Sequence, residues 1–131
     1  MANPKCVALQ CEIKDIFDKD LKPAVFKQIK QTVQTLVDKT KGLSFDDKCK
    51  DGWVLKTTVL SIEVDNADKP TSIAAKILVE GIPLDGSAHG FKANGGSKAI
   101  RINAKKMEEE AKAIVNDVLN DLMTKQVLPR M

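Results

Sequence analysis

One histidine and three cysteines bound the chemistry this chain could perform. With His89 alone, paired-histidine zinc sites and the H-E-x-x-H arrangement are excluded. A Cys49–His89 pair could in principle make a nucleophile and its base, so a small hydrolase-like enzyme is the third functional reading. Neither residue has the right frame, however. No glycine-flanked nucleophile elbow surrounds Cys49, and no helix start is at hand to lower its pKa. No catalytic residue is assigned, the expectation is a non-enzyme, and His89 reads as an exposed polar residue in a glycine-rich turn.

Residues 90–97, GFKANGGS, approach the phosphate-loop pattern G-x-x-x-x-G-K-[ST]. Gly90, Gly95 and Ser97 match, but Gly96 stands where a lysine must meet the β and γ phosphates. A phosphate loop also opens a helix, whose N-terminal amides hold the anion, whereas the strand-like KAIRI follows here. The segment reads as a hairpin turn. Asp47, Asp51 and Gly52 echo a calcium loop, but Thr58 occupies the position of the bidentate glutamate. Glu108, Glu109 and Glu110 are read as acids at a helix start, where they complement its dipole. No metal and no cofactor is assigned.

Cys6, Cys11 and Cys49 form neither a C-x-x-C pair nor a disulfide framework. On a strand, Cys6 and Cys11 point to opposite faces about 16 Å apart, beyond bridging distance. Only Cys49 could pair with one of them. The default expectation is reduced thiols in the cytoplasm. A periplasmic location follows instead if an export signal has been removed ahead of Met1.

The 21 basic and 18 acidic residues leave a net charge of +3. Residues 1–50 carry the whole excess, with ten basic and seven acidic groups. Lys27, Lys30 and Lys41, on the polar side of a predicted helix, are the candidate polyanion contacts. A weak RNA-binding domain is therefore the alternative reading. Three strands and a helix begun by Lys105-Lys106 are similar in layout to double-stranded-RNA-binding domains, but Glu108–Glu110 would repel a phosphate track. The aromatics Phe17, Phe26, Phe45, Trp53 and Phe91 lack the spacing of a base-stacking sheet. Nucleic acid is not the expected partner.

These residues must be placed by elements that the sequence marks out. Residues 5–13 alternate, with Val7, Leu9, Cys11 and Ile13 facing inward, as a half-buried strand does. Residues 20–41 read as a helix capped by Asp20, with Pro23 in its first turn and Gly42 as its stop. Val25, Phe26, Ile29, Val33, Leu36 and Val37 make its apolar stripe. A loop spans 43–52. Residues 53–64 form a long strand whose alternation slips, since Trp53 and Leu55 share one parity and Leu60, Ile62 and Val64 the other. A bulge near Thr57-Thr58 reconciles them. The strand at 71–82 sends Ile73, Ala75, Ile77 and Val79 inward and Ala74, Lys76, Leu78 and Glu80 outward. Asp85-Gly86 and Asn94-Gly95 are hairpin signals and predict strands at 87–93 and 97–102. Asn103 caps a final helix, 104–125, with a Glu108–Lys112 pair on its surface.

The order β-α-β-β-(β)-β-α predicts a two-layer α+β sandwich: an antiparallel sheet of four to five strands with two amphipathic helices on one face. The single domain spans residues 1–131, with 1–4 a flexible N-terminus and 126–131 a C-terminal tail. With 43% hydrophobic and 30% charged residues the chain can build a core, and no apolar run nears the 18 residues of a membrane span. The layout is similar, in element order alone, to small bacterial envelope accessory domains. The open sheet face, with Gln10, Glu12, Lys56, Lys76 and Glu80, is then the surface left for function. The expected function is a non-enzymatic protein-interaction or accessory module, through protein partners or self-association. Its contact residues would be Lys76, Leu78, Glu80, His89 and Phe91, joined by Val59 if the bulge turns it outward.

Overall fold

Two periodicities build the molecule: a period of two in the strands and of 3.6 in the helices. The computed structural model describes residues 5–67, 70–84 and 89–131. Strand β1 (Lys5–Ile13) leads to helix α1 (Lys22–Lys39), then β2 (Leu43–Phe45), β3 (Trp53–Asp65), β4 (Ser72–Pro83), β5 (Phe91–Ile100) and helix α2 (Met107–Leu122). The sheet order is β2-β1-β3-β4-β5. The α+β sandwich is as the sequence predicts, but the sheet is mixed. β1 runs parallel to both β2 and β3, while β3, β4 and β5 are antiparallel neighbours. The parallel pairing follows from α1, since a helical crossover returns the chain to its starting end.

One sheet face carries the core. Val7, Trp53, Leu55, Val59, Ile62, Ile73, Ile77, Val79 and Ala93 pack beneath Val25, Ile29, Val33 and Val37 of α1. Ile114, Val115, Val118, Leu119 and Leu122 of α2 complete it. Phe26, expected in the α1 stripe, is 37% exposed. Thr32 takes the buried place instead, because the seam between the helices is polar. The Thr32 hydroxyl donates to Asn116 Oδ1 and accepts from Gln28 Nε2, each at 2.9 Å.

Local chemistry moves several boundaries. Asp18, not Asp20, caps the entry to α1, its carboxylate accepting from the Asp20 amide at the start of a 3₁₀ turn (Lys19–Leu21). The expected loop at 43–52 contains β2, a strand too short to show a pattern. Asn103 accepts from the Lys105 amide and makes a turn rather than a cap, so α2 begins at Met107. Arg101, in the left-handed region at φ 61°, bends the chain between β5 and α2. Glu108 and Lys112 form no ion pair among the described residues, where the pairs are Lys30–Asp47 and Lys125–Asp121. Residues 126–131 are not a loose tail. Beyond α2 the chain makes a π-helical turn (Met123–Val127) and a 3₁₀ turn (Leu128–Arg130), with Met123 and Val127 fully buried. The expected N-terminal flexibility at 1–4 and the Asp85-Gly86 turn lie outside the described residues.

Candidate functional site

The bulge that gives β3 its face lies between Val59 and Ser61, not at Thr57-Thr58. Up to Val59 the odd residues of β3 point inward; after the extra residue, the even ones do. Val59 is therefore fully buried and Leu60 is turned out, 36% exposed. The expected participation of Val59 in the outer surface is corrected on that geometry. Leu60 takes its place.

The outer face is made of cross-strand rows. Lys56 pairs with Glu80, which pairs with Lys92; Thr58 pairs with Leu78, which pairs with Asn94; Lys76 pairs with Gly96. No helix covers these rows, and Lys76, Leu78 and Glu80 lie there as expected. Leu60, Lys76, Leu78, Asn94, Gly95 and Gly96 line a groove of about 410 Å³. It is chiefly apolar because two leucines form one wall and Gly96 leaves no side chain over the other. Asn94-Gly95, read as a hairpin turn, is continuous β5. Gly95 faces Leu122 and Val118 of α2 on the inner side of the sheet and makes no turn.

Phe91 is not on this face. It is the register partner of Gly81, and its ring occupies the space a Gly81 side chain would take. It also meets Trp53 at 5.5 Å between ring centroids, and the Arg130 guanidinium stands 5.6 Å from its own. His89 is exposed just before β5. The five expected contact residues thus divide: Lys76, Leu78 and Glu80 share the outer face, Phe91 caps the core at its rim, and His89 stands apart in the connection. Lys27 and Lys30 are exposed on α1 and Lys41 in the turn after it. Lys30 is already engaged by Asp47 at 3.1 Å, which brings an acid into that basic face.

The cysteines depart from the reduced expectation. Cys6 and Cys49 form a disulfide that ties the 46–52 loop to the start of β1, with Cα atoms 5.5 Å apart. The bond leaves Cys49 no thiolate with which to attack a substrate, which removes the Cys49–His89 enzyme as framed. Asp51 stands beside the two sulfurs, but bonded sulfurs offer no thiolate pair to a metal. Cys11 remains the free thiol. It faces inward as the alternation predicts, and burial pushes its pKa up to about 12.

No family model matches this chain, and no curated protein does. Solved structures share its architecture. The PelC dodecamer from Paraburkholderia phytofirmans superposes with a TM-score of 0.59 at 14% identity, over 93% of this chain and 91% of that one. A hypothetical protein from Chlamydia trachomatis gives 0.62 at 8% identity, over 97% and 95%. A lipoprotein from Neisseria meningitidis gives 0.57 at 9%, over 89% and 99%. The likeness is one of fold. Among the described residues no helix is long and apolar enough to cross a membrane.

Proposed function

We propose that this chain is a non-enzymatic contact module that associates with further copies of itself through its outer sheet face. The observation that carries the reading is the groove between Leu60 and Leu78, on a face that neither helix covers. Apolar surface left open between charged rows gains free energy when a second protein surface removes it from water. The PelC structure, of the same fold, is a dodecamer, which supports a second copy as the occupant. The Cys6–Cys49 bond and the lipoprotein with this fold support work outside the reducing cytoplasm, in place of the cytoplasmic location first expected.

Sedimentation of the wild-type chain and of Leu78→Asp across a range of concentrations tests this. The wild type is expected to associate and the variant to sediment as a monomer. The thermal midpoint should move by only a few degrees, roughly the scale of a 1 kcal/mol change in a domain of this size. A wild type that is monomeric throughout, or a variant that associates equally well, contradicts the reading.

A further inference from the structure

We propose that the free edge of β5 pairs with the free edge of β1 in the next copy, so that the sheet continues in parallel from one molecule to its neighbour. The inference rests on the self-association reading and adds, beside the outer-face contact, a second one at the sheet edges.

The backbone hydrogen bonds identify which groups face outward. Val59 accepts from the Lys14 amide, so the odd residues of β3 before the bulge point towards β1 and the even ones towards β4. By alternation the even residues of β4 point to β3 and its odd residues to β5. The odd residues of β5 therefore bond to β4. The amides and carbonyls of Lys92, Asn94, Gly96, Lys98 and Ile100 point away from the sheet. Arg130 confirms the parity, its guanidinium reaching the Lys92 carbonyl from outside at 3.3 Å. From Asn94 to Ile100 these outward groups meet no partner among the described residues.

The other edge is open in part. The Lys5 amide donates to Gly42 and the Val7 carbonyl accepts from Asp46, so the odd residues of β1 point towards β2. β2 ends at Phe45, opposite Val7. Beyond it, Leu9, Cys11 and Ile13 turn their backbone groups outward without a partner among the described residues. That free stretch, residues 8–13, offers roughly 20 Å of pairing. The strands also run the same way: β1 is parallel to β3, and two antiparallel steps bring β5 parallel to both. β5 then stands to the β1 of a neighbour as β1 stands to β3 within the chain. Inner residues adjoin inner residues, and both sheet faces stay continuous.

Charge selects this pairing over the alternative. From Phe91 to Arg101 the chain carries Lys92, Lys98 and Arg101 and no acid. From Gln10 to Asp20 it carries Glu12, Asp15, Asp18 and Asp20 against Lys14 and Lys19. Two β5 edges joined about a twofold axis would crowd the basic edges of both copies together. A β5 edge beside a β1 edge sets Glu12 on the same outer face as Lys98. Neither is in an ion pair among the described residues. Such a contact is head-to-tail and closes into a ring when the rotation allows.

The test is a charge swap on the full chain, read by sedimentation equilibrium. Glu12→Lys and Lys98→Glu are each expected to raise the dissociation constant by about tenfold or more. The double variant Glu12→Lys/Lys98→Glu is expected to recover most of that loss. Thermal midpoints near wild type show that these exposed substitutions leave the fold intact. Single variants without effect, or a double variant no better than either single, overturn the pairing. If Leu78→Asp abolishes association while the charge variants do not, the outer-face reading stands and the edge pairing falls. A monomeric wild type removes both.

Discussion

Leu60 lies in the same outer groove as Leu78, at the point where β3 slips by one residue against β4 between Val59 and Ser61. Alternation from Trp53 to Val59 turns Leu60 outward, and the extra residue brings Ile62, rather than Ser61, back into the core. The bulge costs a ladder position and keeps Val59 and Ile62 both in the core on either side of the outward Leu60. Leu60→Asp should therefore weaken self-association without unfolding the chain, as expected for a residue 36% exposed. Equal association of variant and wild type by light scattering would remove Leu60 from the contact.

The disulfide makes a second prediction. Cys6 and Cys49 are 43 residues apart, and loop-closure entropy over such a span gives about 4 kcal/mol. The variant Cys6→Ser/Cys49→Ser should lose roughly 2–5 kcal/mol in urea unfolding, and a reductant should leave it unchanged while lowering the wild type towards it. Gly52 adds a local requirement, since a side chain there would fall on the Cys6 carbonyl. A wild type as stable reduced as oxidised would contradict the bond's structural role.

Cys11 gives stability a pH dependence. Its folded pKa is pushed up to about 12 from an ordinary 9.0. Above pH 9 the unfolded chain sheds a proton that the folded chain keeps. Stability from this group is complete below pH 9 and is lost as the pH rises towards 12. Cys11→Ala should flatten that alkaline decline in denaturant titrations. Identical slopes in the two proteins would show that the thiol is not held neutral by burial.

Much of the fold is legible where a pattern runs long enough to repeat. β4 shows its facing in Ile73, Ala75, Ile77 and Val79, and α2 shows its stripe from Ala111 to Leu122, because each residue answers to one neighbouring layer. β2 is hidden by its three residues, and β1's parallel direction by the helix that separates it from β3. Asn94-Gly95 has turn chemistry, yet here it lies in an edge strand packed on Leu122, and tertiary contact outweighs local preference. The candidate surface was legible through Lys76, Leu78 and Glu80. Leu60 was not, because a bulge is visible in sequence only as a change of parity, which leaves its position free over several residues. The partner of Cys49 was not legible either, since spacing alone leaves Cys6 and Cys11 open.

Hydroxyl-radical footprinting of dilute and concentrated wild-type protein tests the central claim most directly, because it reads side-chain exposure in the unaltered chain. Leu60 and Leu78 are predicted to be oxidised in the dilute sample and protected in the concentrated one. Phe26, exposed on the helical side, should react equally in both. Protection of Phe26 with Leu60 and Leu78 unchanged would place the contact on the helices and contradict the account.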